Sequence, residues 1–152
     1  MNYMDIKTND FSNGEGCRVT LFVSGCNHGC PGCYNKKTWN PKEGFLLTAE
    51  VEDYILASLS SHHGLSLSGG DPMYPRNREK VLDIVQRAKQ TYPDKDIWMW
   101  TGYSYDEIKD HEIMKYIDVL IDGKYQQQNP TTKPWRGSDN QNLIKVKEIH
   151  HG

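Results

Sequence analysis

The sequence predicts an α/β protein with mainly parallel strands, folded as a partial, open (β/α) TIM-like barrel. Three observations support this fold class. Four short runs rich in branched and aromatic residues alternate with segments of helical periodicity. Most of these runs end in glycine, as strands followed by tight turns do. At 152 residues the chain is too short for a complete eight-stranded barrel, which needs about 200 residues, so one side is expected to be open.

The predicted strands are the runs at residues 18–25, 64–70, 96–102 and 118–125, with a weaker fifth at 142–149. The first predicted helix follows Thr48, a helix N-cap residue type, and the second follows Asn77 and ends at Pro93. Ser104 and Glu107 form a capping-box pattern that opens a third helix, expected to run to about residue 116. Residues 126–141, rich in Gln, Asn, Pro and Thr, are predicted to form a long loop.

Composition indicates an ordinary soluble protein, and we expect residues 1–152 to form a single domain. The net charge of −2 argues against nucleic acid as a partner. The N-terminus lacks a basic region followed by an apolar run, and no segment approaches the roughly 20 apolar residues of a membrane span. We therefore expect a cytoplasmic protein with no membrane partner, in which clustered cysteines indicate metal or redox chemistry more often than disulfides.

Four loops with suggestive chemistry follow the predicted strands. The first is CNHGCPGC, which holds Cys26, Cys30 and Cys33 within eight residues, and the others contain GGDP (69–72), TGY (101–103) and DGKY (122–125). Loops that follow parallel strands emerge at the same edge of a sheet, where α/β proteins place their ligand sites. The four loops are therefore expected to converge.

The three clustered cysteines have three possible explanations. A structural zinc site would need His28 or Cys17 as its fourth ligand, and Cys17 is separated from Cys26 by a strand of about 20 Å. A dithiol redox pair would use Cys30 and Cys33 as a Cys-x-x-Cys motif, which leaves Cys26 unexplained. An iron–sulfur cluster of the 4Fe–4S type would take three thiolates and leave one iron open to a small molecule. Cys17 is expected to be a small buried residue.

The motifs and their order resemble those of the radical S-adenosylmethionine enzymes, and within them the glycyl-radical activases that serve anaerobic ribonucleotide reductases. The resemblance covers nearly the whole chain, through NGEGCR (13–18), TLFVSGCNHGCPGCYNK (20–36), LSLSGGDP (65–72), DIWMWTGY (96–103), LIDGKY (120–125) and WRGSDNQ (135–141). It implies a barrel of the radical S-adenosylmethionine type. It also implies a 4Fe–4S cluster bound by Cys26, Cys30 and Cys33, with S-adenosyl-L-methionine on the fourth iron.

The chemistry implied by this resemblance is a one-electron cleavage of S-adenosylmethionine into methionine and a 5′-deoxyadenosyl radical. The radical would take a hydrogen atom from a glycine Cα of the large subunit of an anaerobic ribonucleoside-triphosphate reductase, leaving a glycyl radical there. A reduced flavodoxin-type protein is the expected electron donor. A homodimer, or a heterotetramer with the reductase, is the expected assembly.

The resemblance also implies which residues contact the cofactor. Gly69 and Gly70 would let the strand edge approach the methionyl amino group, where backbone carbonyls can accept hydrogen bonds. Tyr34 is expected to cover the cluster, because Gly32 stands where many of these enzymes carry a bulky residue. The remaining expected contacts are Asp71, which replaces the family's usual Glu, and Thr101, Gly102, Asp122, Lys124 and Arg136. No side chain is expected to act as an acid or base.

Overall fold

In the part of the chain that the structure describes, seven strands form one open sheet, and the helices lie between consecutive strands of its central part. The structure is a computed structural model that describes residues 1–33 and 39–147. The strands are β1 (Asn2–Asp10), β2 (Arg18–Val23), β3 (Phe45–Leu46), β4 (Gly64–Gly69), β5 (Asp96–Trp100), β6 (Val119–Asp122) and β7 (Asn142–Ile144). The helices are α1 (Ala49–Leu59), α2 (Arg78–Thr91) and α3 (Tyr105–Ile108). The sheet order is β3-β1-β2-β4-β5-β6-β7.

The predicted α/β class is confirmed, with a sheet that is mixed and not closed. Strands β2, β4, β5 and β6 pair in parallel, as the alternation of strands and helices predicts. Antiparallel strands flank them on both sides: β1 and β3 at one edge and β7 at the other. No helix in the described ranges is long and apolar enough to cross a membrane.

Strand β1 was not predicted, because its sequence is polar. Asp5, Lys7 and Asn9 are exposed and alternate with half-buried Ile6 and Thr8, which is the two-residue period of a strand with one wet face. The strand obtains its order from backbone pairing with β2, where Ile6 lies opposite Leu21. The strand was missed because its sequence has too few apolar residues to indicate a strand, whereas its stability comes from pairing with a neighbouring strand.

The predictions for the third helix and the C-terminal strand were wrong in extent. The capping box at Ser104 and Glu107 is present, but α3 ends at Ile108 and a separate 3-10 turn spans Glu112–Lys115. His111 interrupts the helix with an extended backbone, and its ring accepts a hydrogen bond from the N–H of Ile113 at 3.1 Å. The C-terminal run forms a strand only over Asn142–Ile144, and its last two residues, 148–149, lie outside the described ranges.

The two faces of the sheet differ in chemistry. Val19, Leu21 and Val23 of β2 belong to the main core, together with the buried side chains of α1 and α2. A fully buried aliphatic side chain contributes about 1.5–3 kcal/mol relative to exposure, so this face carries most of the stability. The alternate positions face the other way and include Arg18 and Thr20 of β2, Ser66 and Ser68 of β4, and Trp98 and Trp100 of β5.

A buried arginine, Arg18, stabilises the second face of the sheet. Arg18 is 0% exposed, forms an ion pair with Asp96 at 2.7 Å, and donates to Ser66 Oγ at 2.7 Å. Its guanidinium also lies 5.5 Å from the centre of the Trp98 ring. Arg18 begins β2, at the end of the strand away from the cysteine loop, so it supports the polar face and leaves the other end of the strands to the cysteines.

Candidate metal centre

The loop after β2 brings the three clustered cysteines to the edge of the sheet where the parallel strands end. Cys26, Cys30 and Cys33 are all partly exposed and line the same cleft. The N–H of Cys33 donates to the carbonyl of Cys30 at 3.2 Å, which closes a tight turn through Gly32. Gly32 has φ +73°, in the left-handed region that favours glycine, and a Cβ there would also displace the side chain of Gln127, which would lie 2.5 Å away.

Loops from all four parallel strands and from the C-terminal segment meet at this cleft, as the parallel order predicts. Its volume is about 220 Å³, many times the 10–15 Å³ that one water molecule requires. Among the predicted site residues, the cleft is lined by Cys26, Cys30, Cys33, Gly69, Gly70, Asp71, Thr101 and Gly102. The cleft can therefore hold something considerably larger than a single ion.

Asp71 joins three of these loops through its carboxylate. Its side chain is 1% exposed, and Oδ1 accepts hydrogen bonds from the Thr101 hydroxyl at 2.8 Å and from the N–H of Met73 at 2.8 Å. Oδ2 lies 2.9 Å from the N–H of Gly102 and 2.5 Å from Nε2 of His28. Each carboxylate oxygen thus has two donors, as a buried carboxylate requires.

The backbone around Asp71 is fixed to the cysteine loop as well. The N–H of Asp71 donates to the carbonyl of Gly25 at 2.7 Å, and that of Gly70 donates to Val23 at 2.8 Å. Asn77 occupies the N-cap position of α2, but its buried side-chain amide donates to the carbonyls of Ser24 and Asp71, at 2.8 and 3.2 Å, and makes no capping hydrogen bond. The start of the cysteine loop is therefore held by the GGDP loop and by the residue before α2.

The surroundings of Cys26 disfavour the charged, thiolate form of its side chain. Burial raises the pKa of its thiol from 9.0 to about 11, and the charges of Asp71, Cys30 and Cys33 add to the rise. The backbone N–H of His28 donates to the Cys26 sulfur and opposes the shift. A cation or cluster at this position would displace the thiol proton and offset the repulsion among the negative groups.

Cys26, His28 and Asp71 form a group that could also bind a metal ion, since their ligand atoms lie within 4.8 Å of one another. Sulfur, imidazole and carboxylate ligands of this kind suit zinc. However, Nε2 of His28 already lies at hydrogen-bond distance from Asp71, and Asp71 has donors on both oxygens. A zinc ion bound here would have to break contacts that join three loops, whereas a ligand of the three thiols would not.

Other predicted residues lie away from the cleft or outside the described ranges. Asp122 is buried and accepts a hydrogen bond from the N–H of Tyr105 at 2.7 Å, and Lys124 is exposed. Arg136 is half-buried, and its Nε has no hydrogen-bond partner within the described part of the chain. None of these three lines the cleft, so their contact with a cofactor stays a prediction, and Tyr34 falls outside the described residues.

Cys17 is not the buried small residue that the sequence suggested. It is partly exposed, and its thiol lies 3.8 Å from the side-chain oxygen of Asn9, on the far side of β2 from the cleft. Its position just before the strand, at the edge next to the half-exposed β1, explains the error. It does agree with the expectation that Cys17 is no ligand of the cysteine loop.

The sequence did not predict cofactor contacts for several residues that line the cleft, namely Asn13, Ser68, Tyr125 and Trp135, and it suggested His28 only as a possible zinc ligand. Trp135 has a left-handed backbone, with φ +66°, and its carbonyl accepts a hydrogen bond from Nε1 of Trp100 at 2.8 Å. Gln141 fixes the same segment, because its Oε1 accepts from the N–H of Gly137 and its Nε2 donates to the carbonyl of Gly123. The alternation of Ser66 and Ser68 within β4 was the one sequence pattern that could have indicated Ser68.

Comparison with known proteins agrees with this site. Residues 12–144, which include every strand from β2 to β7, match the family described as a 4Fe-4S single cluster domain. The chain is therefore a member of a class of proteins that carry one iron–sulfur cluster. It resembles, at 53% identity over 145 residues, the anaerobic ribonucleoside-triphosphate reductase-activating protein of Enterobacteria phage T4, with 94% of this chain and 93% of that protein covered.

Proteins of the same name in Vibrio cholerae and Escherichia coli are 52% and 47% identical to it. The alignments cover 93% and 99% of this chain, and 96% and 99% of those proteins. The chain belongs to the family of anaerobic ribonucleoside-triphosphate reductase-activating proteins.

The residues at the cleft fit a 4Fe–4S cluster. Three thiols face one space, partly shielded from water, and the sequence contains only one further cysteine, which lies elsewhere. Fe–S clusters take thiolate ligands, and three of them leave one iron without a protein ligand. Gly69, Gly70 and Gly102 line the same space, and without side chains they let the backbone lie close to a bound cluster.

Proposed function

We propose that this protein activates an anaerobic ribonucleoside-triphosphate reductase as a radical S-adenosylmethionine enzyme. When bound, the 4Fe–4S cluster and S-adenosylmethionine supply a one-electron reductive cleavage. In balance, one electron enters and the C–S bond of the sulfonium breaks. Methionine and 5′-deoxyadenosine leave, and a glycine Cα of the reductase loses a hydrogen atom, which leaves a glycyl radical.

The chain's own residues have distinct tasks in this proposal. Cys26, Cys30 and Cys33 would hold three irons of the cluster, which would leave one iron without a protein ligand. Gly69 and Gly70 end β4 at the rim of the cleft, where a carbonyl can accept a hydrogen bond from the methionyl amino group. We further propose that the open sheet is the partial barrel of this enzyme class, with the face bearing Ser68 and Trp100 on the inside.

The protein must also shield the reaction from water and from stray C–H bonds, because a reactive radical would otherwise be lost in side reactions. Trp100 and Trp135 line the cleft and are joined by a hydrogen bond of 2.8 Å, so two large apolar surfaces are held in place there. Tyr125 adds a third aromatic ring to the lining. These side chains replace solvent on the side of the cleft that faces the C-terminal segment.

The observation that carries the proposal is the convergence of three cysteines and two glycine-containing strand ends on one cleft, with Cys17 held apart. The same names recur among relatives that align over nearly the whole chain, and each of those proteins is named for activating the reductase. We propose the large subunit of that reductase as the partner, a flavodoxin-type protein as electron donor, and the cytoplasm as location. A homodimer or a heterotetramer with the reductase is the proposed assembly.

The test begins with anaerobic reconstitution with iron and sulfide. We expect about four irons per chain, a brown protein, and loss of the cluster in Cys26→Ala, while Cys17→Ala, the matched control, retains it. With S-adenosylmethionine, reductant and reductase, electron spin resonance should show the doublet of a glycyl radical on the reductase. Cleavage of the cofactor without that doublet would preserve the chemistry and refute the partner.

Two alternatives predict different results in the same experiment. A zinc-stabilised binding module would be colourless and hold one zinc per chain after reconstitution, with Cys26, His28 and Asp71 as one candidate set of ligands. A thiol–disulfide oxidoreductase that uses Cys30 and Cys33 would keep its activity in Cys26→Ala. Either result would overturn the proposed function.

A further inference from the structure

His28 has two contacts of different kinds, one through its ring and one through its backbone. Its ring is 6% exposed, and Nε2 lies 2.5 Å from Oδ2 of Asp71. Its backbone N–H donates to the sulfur of Cys26. The ring therefore anchors the same peptide unit whose N–H contacts a cluster ligand.

The ring of His28 is enclosed on the sides that would let it rotate. Tyr103 packs edge-on against it, with ring centres 4.7 Å apart. Gly102 lies against the ring so closely that a Cβ at residue 102 would be 2.6 Å from Nε2. Both contacts come from the loop after β5, so that loop and Asp71 together hold a residue of the cysteine loop in one orientation.

Hydrogen bonds to the sulfurs of an iron–sulfur cluster influence its reduction potential, because they stabilise the reduced form, which carries more negative charge. The donor must be held in place to have this effect. Without its anchor, the His28 peptide would be free to turn its N–H toward water, since neighbouring Asn27 and Gly29 are exposed. Gly29 also has nothing within 4 Å of the position of a Cβ, so its surroundings would not restrain that rotation.

We propose that His28 is a positioning residue: its hydrogen bond to Asp71 fixes the peptide whose N–H donates to the Cys26 sulfur, and this raises the reduction potential of the bound cluster. The inference rests on the proposed function for the presence of the cluster. The proposal also gives the Asp71 side chain a role. Because Asp71 holds His28 and also contacts the loop after β5, both the GGDP loop and that loop would influence the reduction potential of the cluster. An electron donor would then reduce the cluster more readily than in a protein without the anchor.

The test compares His28→Ala with His28→Gln, which keeps an Nε2–H donor at nearly the same distance from the main chain. His62→Ala is the matched control, because His62 is a half-buried histidine that contacts Ser58 and Asn9 at the other end of the strands. Two quantities are measured: amide hydrogen exchange at residue 28 in iron-free protein, followed by NMR, and the midpoint potential of the reconstituted cluster.

We expect exchange at residue 28 to be at least about tenfold faster in His28→Ala, as for the loss of one hydrogen bond, and close to wild type in the Gln and His62 variants. We expect the reduction equilibrium of the cluster in His28→Ala to fall about tenfold, which for one electron is a midpoint potential about 59 mV more negative. The Gln variant should recover most of this shift. The His62 variant should show none of it.

The outcomes separate this inference from the proposed function. If wild-type protein assembles a cluster and cleaves the cofactor but His28→Ala has the wild-type potential, the inference is wrong and the function stands. If wild-type protein assembles no cluster, the function and the effect on potential both fail. If His28→Ala alone assembles none, exchange at residue 28 in the iron-free proteins decides: faster exchange in His28→Ala with wild-type exchange in the Gln variant supports the inference, and wild-type exchange in both overturns it.

Discussion

Gly102 is a position where one added methyl group should disturb the metal centre through packing alone. Its φ is not positive, so alanine would cause no backbone strain, and the whole effect comes from packing. The added Cβ would lie 2.6 Å from Nε2 of His28, where ordinary contacts are 3.4–4 Å. Because the His28 side chain is only 6% exposed, it cannot move into water without separating from Asp71.

The expected cost has two parts. Insertion of a methyl group into a well-packed site costs about 1–3 kcal/mol. Loss of the hydrogen bond between His28 and Asp71 adds about 1 kcal/mol or more, since one partner is a carboxylate. We therefore expect Gly102→Ala to lower the free energy of unfolding of the iron-free protein by about 2–4 kcal/mol, measured by urea denaturation.

A double-mutant cycle tests the cause. In a His28→Ala background the clash is absent, so Gly102→Ala should cost less than about 0.5 kcal/mol, or even stabilise by restricting the unfolded chain. Gly137→Ala is a matched control at the same cleft: its Cβ would lie 3.0 Å from the partly exposed ring of Tyr125, a milder overlap than at Gly102, so it should cost less than about 1 kcal/mol. An equal cost of Gly102→Ala in both backgrounds would refute the reasoning.

Two further predictions concern stability away from the cleft. The buried carboxylate of Glu52 in α1 forms ion pairs with two residues of α2, Lys80 at 2.5 Å and Arg87 at 3.0 Å. Glu52→Gln should therefore lower the free energy of unfolding, measured by urea denaturation, by about 1–3 kcal/mol. A loss below about 0.5 kcal/mol would contradict this. Burial lowers the pKa of His111 from its ordinary 6.5, so the unfolded state binds its proton more readily. The free energy of unfolding should therefore fall as the pH drops below about 6.5. It should fall less in His111→Asn, whose side-chain oxygen can still accept a hydrogen bond from the N–H of Ile113. Parallel pH profiles of the two proteins would show that His111 is not responsible.

The central fold could be predicted from sequence because its elements carry strong local patterns. β2, β4, β5 and β6 are buried on both sides or nearly so, and such strands read as continuous apolar runs bounded by glycine. The flanking strand β1 lacks this pattern because one of its faces is wet. β7 was predicted too long, because its few residues are ordered by pairing with β6, a contact that no local pattern encodes.

The candidate site could be predicted at the level of loops and less well at the level of side chains. Parallel topology alone requires the loops after β2, β4 and β5 to share one edge, and these supplied the cysteines, Gly69 and Gly102. Trp135 and Tyr125 reach the cleft from a long irregular segment, whose path depends on hydrogen bonds such as those of Gln141. Segments of this kind have no period from which a side-chain direction could be derived.

The GGDP motif has two functions that its sequence does not separate. Its glycines place bare backbone at the rim of the cleft, where a ligand can approach, whereas the Asp71 carboxylate is already occupied by contacts with Thr101, Gly102 and His28. A longer Glu at this position could not keep the same four donors without moving the loop after β5. Asp71 is thus better understood as the residue that fixes the distance between the cysteine loop and its neighbours, and its substitution should change the geometry at Cys26 before it changes any direct contact with a cofactor.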